Sequence, residues 1–337
     1  MNAVCRFLVC WCLGAWGCAV SAQQPFRVMF YNVENLFDCR HDSLKDDCEF
    51  LPEAEKRWTP YRYWRKLNAL SKVVAAVAEE RLPDMVGLCE VENDSVLFDL
   101  TRRSSLRALG YRYLMTCSPD VRGIDVALLY QPGSFRLLTS REVAVPSERE
   151  GFRPTRNILY AKGRVLSGDT LHVLVCHLPS RLGKTLESRR HRRLAASTLR
   201  RQVDSIAAVS VRPRIIVMGD FNAGEKDVLF REYFDTVLYE PSLSPHSAER
   251  AKGSYRYHGV WETLDHILVS PALLDADARF RTADGKRSFV AFPFMCEPDK
   301  TYGGLRPFRT YQGPIYRGGY SDHFPVLLDF EWRFPEE

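Results

Sequence analysis

The chain has 337 residues and a formal charge of +5, with 45% hydrophobic and 26% charged residues. Those proportions are ordinary for a globular protein and exclude an extended disordered chain. Past residue 22 no apolar run approaches the ~18 residues of a membrane-spanning helix, and the weak positive excess suits a polyanionic partner without requiring one.

Residues 1–22 read as a secretory signal peptide, with one charge at Arg6, an apolar run over 7–20 and the small-residue site Val20-Ser21-Ala22. Cleavage after Ala22 predicts export to the periplasm or beyond. The competing reading is a lipoprotein anchored at Cys18. It lacks an apolar residue three places before the cysteine, so cleavage is favoured. Beyond the leader stand Cys39, Cys48, Cys89, Cys117, Cys176 and Cys296, with no CxxC pair to suggest a zinc ribbon. Cys39 and Cys48 flank a polar loop, and in an oxidising compartment they either bridge it or remain two thiols.

Residues 26–32 read as a strand that runs into Asn32-Val33-Glu34-Asn35. Leu67, Leu70, Val74 and Val77 then recur at helical spacing over 64–80. Residues 85–90 form a second strand, ending at Glu90. Asp94 is placed to cap a helix that reaches Leu109 before Gly110. Strands follow at 124–130, 170–178 and 215–219, with a helix over 187–209 between the last two. Two more strands occupy 264–269 and 324–330. Several strands are apolar on both faces, as buried strands are. Helices and strands alternate but strands outnumber helices. This predicts an α/β protein of two packed sheets flanked by helices, as one domain over 26–332.

The strands end in chemistry. Glu90, Asp220 and Asp322 are hard oxygen donors at apolar strand ends, with Asn32, Asn222, His177, Asp265 and His323 in similar places. Such donors suit Mg²⁺, with Mn²⁺ or Ca²⁺ as alternatives. HExxH, GxSxG, Walker A and GxGxxG patterns are all missing from the sequence, which disfavours zinc proteases, α/β-hydrolases and common nucleotide folds. Carboxylates, amides and histidines around a divalent ion suit phosphoryl transfer to water.

Asn32, the Glu90 strand end, Gly219-Asp220-Phe221-Asn222 and Ser321-Asp322-His323 occur in the order found in the endonuclease/exonuclease/phosphatase family. The chain resembles that family along almost its whole mature length. FYNVENLFD, RGIDVALLY and GGYSDHFPV look like its secreted bacterial members. The resemblance implies a deoxyribonuclease I-like fold: a four-layered α-β-β-α sandwich with two mostly antiparallel sheets. It makes Glu90 the main metal carboxylate, with Asn32 and Asp322 as supporting ligands. Asp220 matches a residue that aligns the attacking water or binds a second metal. Asn222 would bond the scissile phosphate. His323 would contact the phosphate or move a proton, oriented by Asp265, and His177 would be a second histidine. Cys89 stands where the family commonly has Gln. Arg122 and Asp125 of RGIDVALLY would lie near the site.

Two basic stretches carry alternative readings. Arg181, Arg189, Arg190, Arg192 and Arg193 lie on or before the 187–209 helix, either as a solvated face or as contacts to a phosphate backbone. Residues 286–317 mix Phe and Tyr with Arg306, Arg309 and Arg317, which either pack a long loop or hold bases and phosphates. Together these features predict an exported monomeric phosphoesterase, first a nuclease acting on phosphodiesters of nucleic acid. The alternatives are a phosphatase or phospholipase C-like enzyme on lipid or sugar phosphates, and a non-catalytic binding protein on the same fold.

Overall fold

The structure is a computed structural model that describes residues 24–146, 153–181, 186–245 and 251–332. The expected leader, with Cys18, lies outside the described residues. The chain opens with β1 (Gln24–Leu36), β2 (Met85–Val91), β3 (Arg112–Met115) and β4 (Asp125–Tyr130). Next come β5 (Phe135–Val143), β6 (Ile158–Val165), β7 (Thr170–His177) and β8 (Arg214–Asp220). A short β9 (Ser242–Leu243) precedes a hairpin of β10 (Tyr255–Tyr257) and β11 (Val260–Glu262), then β12 (Asp265–Val269) and β13 (Phe280–Phe289). Two further hairpins, β14 (Cys296–Pro298) with β15 (Leu305–Pro307) and β16 (Tyr311–Gln312) with β17 (Ile315–Tyr316), lead to β18 (Val326–Trp332).

One sheet has the order β3-β4-β2-β1-β18-β13-β9 and the other β12-β8-β7-β6-β5. Most neighbours are antiparallel, while β1–β2, β7–β8 and β9–β13 are parallel. The sheets face each other through a core that includes Val28, Phe30, Val126, Val173, Val175, Ile216 and Met218. They come so close that a Cβ on Gly87 would lie 2.4 Å from Met218 Sδ, so a larger residue there would have to displace the Met218 side chain. The two-residue strand period turns Leu174, Cys176, Ile215 and Val217 to the opposite face, where they pack with Leu199, Val203 and Ile206 of α3 (Leu186–Ala207). Helix α1 (Pro60–Glu80) covers the first sheet with Leu67, Leu70, Val74 and Val77. This is the expected four-layer sandwich, and no helix among the described residues is long and apolar enough to cross a membrane.

One expected helix is shorter than its capping residues suggest. Helix α2 is only Asp94–Phe98, and its cap is Asn93, whose side chain accepts from Val96 N at 3.0 Å. A wider turn over Asp99–Arg103 follows, and the backbone then extends at Ser104, with a 3-10 turn over Ser105–Leu109. Ser104 donates back to the Leu100 carbonyl and accepts from Leu106 N, a local bonding choice that competes with helix continuation. Cys39 and Cys48 are free thiols, as are the other four described cysteines.

Candidate active site

Register brings the strand ends together. His177 pairs with Asp220 across β7–β8, and Asp220 pairs with Asp265 across β8–β12. Gly219 makes the first approach possible, because a Cβ there would sit 2.3 Å from the Cys176 carbonyl oxygen. From the facing sheet, Asn32 of β1 pairs with Cys89, one residue before Glu90. Asp322 and His323 arrive on the turn into β18. They line one cleft of about 450 Å³ together with Glu90, His177, Asp220 and Asn222.

Three of the site's residues hold backbones that side chains seldom adopt. Glu90 has φ 63°, Asn222 φ 49° and Glu34 φ 50°. Glu90 lies where the β2–β4 register shifts, so a bulge re-aims its side chain into the cleft. Its carboxylate accepts from Asn35 N at 2.9 Å and lies 3.9 Å from Arg122. Arg122 also donates to Asn35 Oδ1 at 2.5 Å.

Asp220 is buried and accepts from Asn32 Nδ2 at 3.0 Å and from Asn222 N at 2.8 Å. Burial, and then the charge of Asp265, push its carboxyl up to about 7. His323 Nδ1 lies 2.6 Å from Asp265 Oδ2. Burial alone would lower this imidazole, but the charge and hydrogen bond of Asp265 outweigh it and hold it up at about 10. His177 goes the other way. Burial, with Arg156 and Arg122 nearby, pushes it well below the ordinary imidazole range, so it stands neutral. Its Nε2 is 3.6 Å from Asp220 Oδ2, and its Nδ1 has no hydrogen-bond partner.

The insert between β13 and β18 is tied to the site by charge. Arg309 donates to Asp322 Oδ2 at 2.9 Å and to Glu34 Oε1 at 3.2 Å. Burial would raise Asp322, but Arg309 leads a set of cations that hold it below the usual carboxylate range. Buried Lys66 anchors the same loop through Thr310 Oγ1 and the Tyr320 carbonyl, each at 2.6 Å. Arg306 and Arg317 instead pair with Glu297.

The donor set fits a hard divalent cation. Glu90 and Asp322 offer oxygens to the cleft, whereas Asn32, expected as a supporting ligand, does not line it: its Oδ1 accepts from Glu34 N at 3.0 Å and its amide donates to Asp220. Asp220, Asp265 and His323 bring ligand atoms within 4.8 Å of one another, and Asp265 Oδ1 is buried without a hydrogen-bond partner.

Other residues singled out by the sequence lie elsewhere. Asp125 does not line the cleft. Its carboxylate accepts from Thr116 Oγ1, Ser118 N and Ser118 Oγ, and so fixes the turn before β4. Arg181 does line the cleft, paired with Glu262 at 2.5 Å. Arg189 and Arg190 line a separate hollow with Asp227 and Val228, at the start of α4 (Val228–Tyr233). Arg192 is buried and donates to the carbonyls of Ser180 and Pro179, just after His177. His266, the neighbour of Asp265 on β12 and not a sequence candidate, is held between Glu240 and the Ala223 carbonyl. Arg156 was not singled out by sequence. It is buried in the cleft wall, donating to Asp120 at 3.2 Å and to the Leu178 carbonyl at 2.9 Å, and its Nε has no partner. Its FRPTRN context carries no pattern that marks it.

The model of the Endonuclease/Exonuclease/phosphatase family matches residues 27–332. No match is found among curated proteins. Among solved structures, the chain is similar to an endonuclease/exonuclease/phosphatase family protein of Bacteroides thetaiotaomicron. TM-score is 0.58 and identity 16%, over 93% of this chain and 100% of that one. The human Nocturnin catalytic domain with bound sulfate gives 0.55 and 18%, over 91% and 94%. A mannosyl-6-phosphatase of B. thetaiotaomicron gives 0.55 and 16%, over 90% and 99%.

Proposed function

Because the chain belongs to the endonuclease/exonuclease/phosphatase family, we propose that it is a divalent-cation-dependent phosphodiesterase that cuts nucleic acid. The observation that carries this reading is a single cleft holding Asp220, Asn222, His177 and His323 beside Arg122, Arg156 and Arg181. A phosphodiester needs all three parts: a water-activating carboxylate, a proton donor and anion-binding walls.

When held by Glu90 and Asp322, with Asn32 supporting Asp220 beside them, Mg²⁺ (or Mn²⁺ or Ca²⁺) would neutralise charge developing on the phosphate. The chain's own residues do the rest. Asp220, with a carboxyl near 7, accepts the proton of the attacking water. As water attacks, the bond from phosphorus to the departing ester oxygen breaks, and His323, kept cationic by Asp265, donates a proton to that oxygen or a hydrogen bond to the phosphate. Neutral His177 and the Asn222 amide hold the phosphate in line, and the arginines offset its charge.

Activity is expected to vanish in EDTA and return with Mg²⁺ or Mn²⁺. Glu90→Gln should weaken calorimetric Mn²⁺ binding at least ~10-fold, the scale seen when a metal site's supporting contacts are lost. The substrates to compare are plasmid DNA, RNA, sphingomyelin, inositol phosphates and mannose 6-phosphate. Full activity in EDTA would refute the mechanism, and turnover confined to lipid or sugar phosphates would replace the nuclease reading with the phosphatase one.

The pH dependence has a defined sign. Asp220 must be ionised, so the rate falls as pH drops through about 7. His323 must be protonated, so the rate also falls as pH rises through about 10. A profile of kcat/KM over roughly pH 5 to 11 should be bell-shaped. A rate that stays level from about pH 5 to 8 would remove Asp220 from the role of base.

A further inference from the structure

Two segments far apart in sequence build a row of exposed rings at the mouth of the cleft. Tyr257, at the end of β10, lines the cleft and is 58% exposed. Tyr302, between β14 and β15, is 52% exposed. His258 lies between them, its ring centre 4.1 Å from that of Tyr257 and 5.6 Å from that of Tyr302. Large apolar rings are normally buried, and exposed rings that cluster beside a site mark contact with a ligand.

The row is held in place from below. Gly259 has φ 79°, and a Cβ there would lie 2.6 Å from Tyr302 Cβ, so the hairpin tip closes against the tyrosine. Arg256 donates to the Leu305 and Gly303 carbonyls at 2.7 and 2.8 Å, and pairs with Asp299 at 3.2 Å. A pre-set platform loses little entropy when a ligand lies on it.

Building on the phosphodiesterase reading, we propose that this ledge stacks unpaired bases of a strand leaving the cleft, and that the preferred substrate is single-stranded. Arginines inside the cleft and tyrosine faces at its mouth match the two parts of a nucleotide, a phosphate and a flat ring. Sugar recognition would need free polar partners for hydroxyls. Beside the ledge, Glu262 pairs with Arg181 and Asp299 with Arg256, so the carboxylates that would hold sugar hydroxyls already have cationic partners. Bases in a duplex are already stacked on their neighbours, so only an unpaired base can offer a face to Tyr257.

The test is steady-state cleavage, with Mg²⁺, of a thymidine- and adenosine-rich oligonucleotide as a single strand and as a duplex. Wild type should show the lower KM on the single strand. Tyr257→Ala should raise that KM about 10-fold with kcat held within about twofold, while Tyr257→Phe, which keeps the ring, should match wild type. An unchanged KM in Tyr257→Ala, or a wild-type preference for duplex, overturns the ledge while leaving the nuclease reading standing. A wild type that cuts neither form overturns the nuclease reading itself. Sedimentation with phosphatidylcholine–phosphatidylserine vesicles that Tyr257→Ala abolishes would make the ledge a membrane contact instead.

Discussion

Asp220→Asn should lower kcat on a phosphodiester by at least ~10²-fold while leaving the protein as stable as wild type, or more so, at pH 8. The activity loss follows from position. Asp220 is the one carboxylate in the cleft whose proton affinity is tuned to near neutrality, by burial and by the Asp265 charge. The stability result follows from the same tuning. A carboxyl raised above its ordinary value is one whose ionised form the fold disfavours, so above that value a neutral isostere relieves an unfavourable charge. Asparagine keeps an oxygen to accept from Asn222 N but turns its NH₂ toward Asn32 Nδ2, so the relieved charge is set against one lost hydrogen bond and the net change stays small. Turnover and the thermal midpoint, measured on the same preparation, decide the matter. A midpoint that falls in step with the rate would make Asp220 structural, and a rate within a few-fold of wild type would take it out of the chemistry.

That test rests on a placement largely legible in the sequence. Apolar runs with polar ends marked the strands that carry His177, Asp220 and Asp265, because the two-residue period and the abrupt change of polarity are local properties. The run from Gly219 to Asn222 already contained both the small residue that lets β7 and β8 approach and the acid they present. Which strands become neighbours is not local. The register that sets Asp265 against Asp220 is a tertiary outcome.

The same distinction explains what the sequence left hidden. Arg156 reaches the site from a strand entry, and nothing in its immediate neighbours marks it; Arg309 stood out only as one of three arginines in a long aromatic insert, with no sign that it alone would pair with Asp322. Asp125 read as a site residue because it follows Arg122 in a familiar stretch. Hydroxyls from Thr116 and Ser118 claim its carboxylate instead. The arginines near the start of α3 read as one charged face. All of them from Arg189 to Arg193 line or border one hollow apart from the catalytic cleft, and Arg192 is in addition buried and tied to the loop after His177. Glu90 was legible as a carboxylate, but not as one held at φ 63° on a bulge.

Asp265→Asn and His323→Ala should each lower kcat by at least ~10²-fold, and the double variant should lose no more than the worse single one. The reason is geometric. Asp265 has no exposed surface, and its Oδ2 lies 2.6 Å from His323 Nδ1, so its main action on the reaction runs through that ring, beside a smaller one through its charge on Asp220. Once the imidazole is gone, the carboxylate has nothing left to orient or charge. Stability should behave differently from rate. His323→Ala strands a buried carboxylate next to Asp220, a loss on the order of 3–5 kcal/mol, and adding Asp265→Asn should recover most of it. In Asp265→Asn alone, the alkaline limb of the pH profile should move down from about 10, because burial then acts on the imidazole without an opposing charge. Additive rate losses, or an alkaline limb that does not move, would mean that the two residues do not work as a pair.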